Sequence, residues 1–136
     1  MTKPVLTFVL MDPPFENTRS TTALRLLHLA VARGFDVNVF AYEGAVALAF
    51  DKQIPHANPV HNRNVEEEDH PTPKEWIASI FELATETGAK LDWVQCGFCL
   101  DERGVFEFSP KLRRNGPGEL LKFIENSDNV LLIPTR

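Results

Sequence analysis

The first forty residues constrain the fold more than any other stretch. Val5 to Met11 (Val-Leu-Thr-Phe-Val-Leu-Met) is a continuous apolar run of strand length, the pattern of a strand covered on both faces. Asp12-Pro13-Pro14 ends it, because proline has no N–H for a ladder and restricts the residue before it. Ser20 or Thr21 is placed to cap a helix that continues to about Arg33. Ala23, Leu24, Leu26, Leu27, Ala30 and Val31 give that helix a broad apolar face for lying on a sheet. Gly34 fits the left-handed position at its end, and Phe35 to Tyr42 reads as a second strand. Strand, helix and strand in so short a span make a βαβ unit with parallel strands and a right-handed crossover.

The rest of the chain continues the alternation. Asp51 to Pro71 breaks it with Pro55, Pro59 and Pro71, three histidines (His56, His61, His70) and the acidic run Glu66-Glu67-Glu68-Asp69. It reads as a long surface loop with the reach to fold over neighbouring chemistry. Thr72-Pro73-Lys74-Glu75 is a capping box with proline at the first helical position. The helix it opens runs to about Thr87, buries Trp76, Ile77, Ile80, Phe81 and Ala84, and meets Gly88 at its end. Leu91 to Gln95 is a short buried strand, Gly118 to Glu125 a last helix, and Asn129 to Pro134 the final strand. Phe106-Glu107-Phe108 fits either an extra strand or a packed loop. The expected architecture is α/β: a three-layer α/β/α sandwich around a mainly parallel sheet of four or five strands. At 136 residues, it is one domain, spanning residues 1–136.

Cys96 and Cys99, in Cys96-Gly97-Phe98-Cys99, are the only cysteines. They follow the Leu91–Gln95 strand into a glycine-containing turn, the place where a parallel α/β sheet presents its chemistry. A thiol there sits near backbone N–H groups of the next helix, which favour the reactive thiolate. Arg103 is placed to add a positive charge by folding back; Asp101 and Glu102 are expected to face water. Cys99, three residues on, shares a helical face with Cys96. It fits a resolving thiol and equally a packed small residue.

Several other classes are disfavoured. A net charge of −5 argues against a nucleic-acid binder, which carries a basic stripe, and against a polybasic membrane-surface protein. No apolar run approaches the roughly 20 residues of a membrane span, and Met1-Thr2-Lys3-Pro4 runs straight into a strand without a signal-peptide pattern. Two cysteines do not make a disulfide scaffold, so a cytoplasmic setting is expected. No Walker or dinucleotide glycine pattern occurs, so no nucleotide cofactor is expected. A zinc or iron site would need His56, His61 or His70 to complete the cysteine pair, and loop histidines are more often solvated. His28, in the first helix, reads as half-buried packing. Lys111, Arg113 and Arg114 form a small basic patch suited to an acidic protein carrier or simply to water. Asp12-Pro13-Pro14 and Glu43-Gly44, at strand C-terminal ends, are expected to border the cysteines.

The order of these motifs resembles the DsrE/DsrF-like family, in particular its TusD/DsrE type. The resemblance rests on Asp12-Pro13-Pro14-Phe15 before Ser20-Thr21-Thr22-Ala23, and on Val39-Phe40-Ala41-Tyr42-Glu43-Gly44-Ala45-Val46. It also rests on Val94-Gln95-Cys96 with Gly104 eight residues past the cysteine in Arg103-Gly104-Val105, and on Gly118-Glu119-Leu120-Leu121 leading to Asp128-Asn129-Val130. It implies a sulfurtransferase or sulfur carrier of a sulfur-relay system, with Cys96 holding sulfane sulfur as a persulfide. It further implies oligomers with itself or with paralogous subunits, and small carriers of TusA or DsrC/TusE type as donor or acceptor. Gly97-Phe98-Cys99 departs from the small apolar residues the family carries after its cysteine. The stretch Phe106–Pro117 is shorter than the family's and Asp51–Pro71 longer. A non-catalytic subunit of a DsrE-like oligomer and a Cys/His metal-binding module are the other readings.

Overall fold

The computed structural model describes residues 3–16 and 18–135; Met1 and Thr2 of the N-terminal reading lie outside them. Five strands form one sheet: β1 (Val5–Leu10), β2 (Asp36–Ala41), β3 (Leu91–Cys96), β4 (Arg113–Asn115) and β5 (Asn129–Ile133). Their order is β4-β3-β2-β1-β5, and every pairing is parallel. The helices are α1 (Arg19–Ala32), α2 (Val65–Glu68), α3 (Pro73–Thr87), α4 (Gly97–Arg103) and α5 (Pro117–Glu125), with a 3₁₀ segment at Glu43–Ala49.

Alternation along each strand sends side chains to two cores. Phe8, Leu10, Val37, Val39, Ala41 and Trp93 meet α1 and α3, whose Leu24, Leu27, Val31, Ile77 and Ile80 are buried. Val9, Phe40 and Val94 point to the opposite face, under Leu100 of α4 and Phe123 of α5. The result is a three-layer α/β/α sandwich. Each fully buried Leu, Ile or Val contributes about 1.5–3 kcal/mol, and the strands and the α1–α3 pair both supply them.

Local signals set most of the boundaries. Gly34 and Gly88 end α1 and α3 with φ of 78° and 75°. At the start of α3 the Thr72 N–H donates to Glu75 Oε2 at 2.9 Å, the reciprocal half of the expected capping box. α1 departs from expectation at its start. It begins at Arg19 with Thr18 as N-cap and no side-chain cap, and Ser20 is buried instead. Leu26 and His28 are exposed, since the sheet and α3 cover a narrower stripe than the run of apolar residues suggests.

The fifth strand is Arg113–Asn115, not Phe106–Phe108. The latter is a packed loop tied to Phe50 by a single antiparallel bridge at Phe108. Two arginines side by side carry no strand pattern. They form the edge, where Arg113 pairs in fork geometry with Asp92 of β3, at 2.8 Å for both bonds.

The stretch 51–71 is a surface segment with its own structure. It contains a 3₁₀ turn at Pro59–His61 and the four-residue α2, capped by Asn64 and Glu67. It does not fold over the cysteines. His56 packs edge-on against Phe15, with ring centroids 4.8 Å apart, and Glu68, His70, Leu24 and Trp76 share one depression on the α1–α3 side.

Candidate functional site

Cys96 is both the last residue of β3 and the N-cap of α4, with extended backbone (φ −63°, ψ 121°). Gly97, Phe98 and Cys99 then occupy the first three helical positions. An N-cap side chain and the third helical side chain face each other, the relation that lets a capping box close. In this chain the two positions carry thiols. Cys96 and Cys99 are only 6 % and 7 % exposed. They sit in the smaller core beside Val46, Val94, Leu100 and Val105.

A second backbone element reaches the pair. The Glu43 N–H donates to Cys99 Sγ at 3.0 Å, across 56 residues of sequence. Glu43 itself has φ 51°, a left-handed conformation that a non-glycine residue holds only when its surroundings compel it. Burial pushes the Cys99 thiol up from its ordinary value, the Glu43 N–H opposes that, and Cys96 and the Glu43 carboxylate add to it.

What holds Glu43 in place is mostly buried and polar. Gln95, fully buried at the penultimate position of β3, donates from Nε2 to the Val46 carbonyl at 2.9 Å and accepts from Trp93 Nε1 at 3.1 Å. That chain of contacts fixes the 3₁₀ segment to the sheet. Gln53 does the same at the segment's far end. It donates to the carbonyls of Ala47 and Leu48 at 2.8 Å each and accepts from the Lys74 N–H of α3 at 2.9 Å. Gly44 lies so close to Pro13 that an added Cβ would meet the proline ring at 2.8 Å. Glu43 thus borders the cysteines as expected, whereas Pro13 reaches them only through Gly44.

The charges are arranged differently from the sequence expectation. Arg103 does not carry its charge to Cys96. Its Nη2 bonds Glu43 Oε2 at 2.9 Å and its Nη1 lies 3.4 Å from the Cys99 carbonyl, so it clasps Glu43 to α4. The cation placed beside the start of α4 is Arg114 of β4. Asp101 holds Arg114 charged above its ordinary value. Its guanidinium lies across Gly97, where a Cβ would come within 3.1 Å of it, and bonds Asp101 in a fork at 2.8 Å twice. Asp101 is therefore paired, and Arg114 holds its carboxyl below the usual carboxylate range. The pair is exposed, so its value lies in placing a charge rather than in stability. Gly97, Phe98, Arg114, Asn115 and Gly116 line an open depression of about 310 Å³ beside the start of α4.

The remaining expected basic residues are engaged as well. Lys111 lies over the Phe81 ring, 5.9 Å from its centroid, and Arg113 joins Asp92 to Glu119. The loop histidines do not approach the cysteines: His70 pairs with Glu68 at 3.1 Å, and His61 Nδ1 lies 3.1 Å from Asn58 Nδ2. Among the described residues no group of three or more His, Cys, Asp or Glu side chains is arranged to hold a metal. Gln95, Gln53 and Arg114 were not singled out for these roles by sequence reasoning. Gln95 gave one signal, a polar residue inside an otherwise apolar strand end.

A parallel five-stranded sheet between two helical layers, with a cysteine where β3 gives way to a helix, defines the class of protein. The model of the DsrE/DsrF-like family matches residues 5–132, and the chain belongs to that family. It is similar to an uncharacterized protein of Methanopyrus kandleri, 27% identical over 93% of this chain and 92% of that one. A second uncharacterized protein, from Methanocaldococcus jannaschii, is 26% identical over 92% of this chain and 96% of that one. Among solved structures, the ychN protein from E. coli shares the fold with a TM-score of 0.69 at 17% identity, covering 96% of this chain and 99% of that chain. A conserved protein of unknown function from Bacteroides thetaiotaomicron follows, with a TM-score of 0.55 at 13% identity and 94% of each chain covered. No helix among the described residues is long and apolar enough to cross a membrane.

Proposed function

We propose that this chain is a sulfur carrier of sulfur-relay type, with Cys96 as the sulfur-bearing residue. The observation that carries the reading is the position of Cys96. It lies at the C-terminal end of a central parallel strand, in one buried cluster with a second thiol and next to the glycine that the Arg114 guanidinium crosses, in a chain of the DsrE/DsrF-like family. The Cys96 thiolate attacks the sulfane sulfur of a donor persulfide. The donor's S–S bond breaks, its thiolate leaves, and Cys96 carries a persulfide. An acceptor thiolate then attacks the outer sulfur and takes it, and Cys96 returns as a thiolate. Donor and acceptor are small thiol-bearing carrier proteins of TusA or DsrC/TusE type. The depression lined by Phe98, Arg114 and Gly116 is the approach open to them.

The carrier works as an oligomer of this chain. β5 is a sheet edge without charge or proline, and Val130, Leu131 and Leu132 are 37 %, 43 % and 50 % exposed. Leu121 and Ile124 of the adjoining α5 are exposed too. The other edge, β4, is three residues long and carries two ion-paired arginines, which is how an edge meant to stay free is protected. A second copy covering β5 removes that apolar surface from water.

The burial of both thiols favours a second reading, a structural subunit whose cysteines only pack. Intact mass after polysulfide treatment separates the two. The carrier gains one sulfur that reductant removes, and Cys96→Ser gains none. A wild-type protein that takes up no sulfur, with both thiols still free, refutes the carrier reading.

A further inference from the structure

We propose that Cys99 is the resolving thiol of the Cys96 persulfide, so that the loaded protein discharges itself when no acceptor arrives. The inference rests on the carrier reading above. Cys99 attacks Cys96 Sγ. The new bond is the Cys96–Cys99 disulfide, and the bond that breaks is the one to the outer sulfur, which leaves with its electron pair as hydrosulfide. The Cys99 proton passes to water. The sulfane sulfur is reduced to sulfide as two thiol sulfurs become a disulfide, and a dithiol reductant resets the pair by exchange.

Three features of the geometry favour this over simple packing. The N-cap and third helical positions put the two thiols on facing side chains of one helical turn, within the same small buried cluster. The Cys99 sulfur accepts a backbone N–H from a separate element at 3.0 Å, and that donor stabilises negative charge on the attacking sulfur. Arg103 ties both partners of that bond together, through the Glu43 carboxylate and the Cys99 carbonyl. The left-handed Glu43 that aims the N–H is a strained conformation of the kind that collects at working sites.

Burial of Cys99 sets the timing. Its raised thiol is mostly protonated near neutral pH, so discharge is slow there and quickens as pH rises toward the raised value. Slow discharge leaves time for transfer to an acceptor.

The test loads reduced wild-type protein and Cys99→Ser with polysulfide, removes the excess, and follows sulfide release and intact mass without added thiol. Serine keeps an acceptor for the Glu43 N–H, so the fold is retained. The wild type is expected to release one sulfide per chain and end two hydrogens lighter than its reduced form, faster near pH 9 than near pH 7. Cys99→Ser is expected to keep its sulfur, with release slower by about tenfold or more and without that acceleration. Equal release from both proteins overturns the proposal, as does a wild type that keeps its sulfur with Cys99 still alkylatable. The wild-type disulfide is read without any variant, so a poorly folded mutant leaves the test intact. Failure of both proteins to load refutes the carrier reading itself and is told apart by the first mass spectrum.

Discussion

Gln95 is the side chain whose removal tests the site's construction most directly. Its amide is fully buried and links two other buried groups, the Trp93 indole N–H and the Val46 carbonyl. Gln95→Leu keeps most of the volume and deletes both bonds. A buried donor and a buried acceptor left unpaired cost about 1–3 kcal/mol apiece, so the variant should lose roughly 2–6 kcal/mol. An unfolding entropy of about 2.1 cal/mol/K per residue, over 136 residues, turns that into a fall in Tm of roughly 7–21 °C. Thermal unfolding followed by circular dichroism measures it, with urea titration as a check that the m-value is unchanged. The same variant frees the 3₁₀ segment that carries Glu43, so Cys99 should become more accessible to a maleimide. A Tm drop under about 3 °C, with alkylation unchanged, would show that Val46 and Trp93 find other partners. The account of how Glu43 is held would then be wrong.

Two further outcomes follow from the edges of the molecule. Glu68 is held below the usual carboxylate range, chiefly by the hydrogen bond from Asn58 Nδ2 and further by His70 and Arg63, against the opposing effect of burial. A lowered carboxylate adds stability that is complete above its unfolded value, about 4.3, and is lost as pH falls through the lower native value. Hydrogen-exchange protection of the Arg63 amide, which donates to the Asn58 carbonyl at 3.0 Å, should therefore persist at pH 5 and disappear only in stronger acid. Loss of protection already above pH 5 would contradict Glu68 as the anchor of this segment. At the sheet edge, Leu131→Lys should shift the purified protein toward monomer in light scattering without lowering Tm by more than about 4 °C. An unchanged particle mass would place the subunit interface elsewhere.

Much of the fold was legible because its signals are local. The apolar run of β1, the proline stop after it, Gly34 and Gly88 at left-handed positions and the Thr72–Glu75 box each act within a few residues. A parallel sheet with crossover helices follows from their order. The cysteine pair was legible for the same reason, since a strand end and one helical turn place Cys96 and Cys99 together whatever the rest of the chain does.

Other features depend on partners far away in sequence. β4 lies in register with β3 through its backbone, with Asp92 and Glu119 bonding Arg113 there; its own residues carry no strand pattern. Arg114 rather than Arg103 lies beside the start of α4 because β4 delivers it there, across a glycine too small to obstruct it. The segment 51–71 shows its breakers in sequence, but its docking on Phe15 rather than over the thiols is decided by which side of the sheet α1 and α3 occupy.

The sequence by itself determined the layers, the strand that ends in Cys96, and the helical turn that pairs it with Cys99, because hydrophobic period and turn chemistry are properties of neighbouring residues. Only the tertiary structure decided which cation lies beside the start of α4 and which backbone N–H meets the Cys99 sulfur. A hydrogen bond spanning 56 residues, and the buried glutamine that aims it, exist only once the strands have found their order.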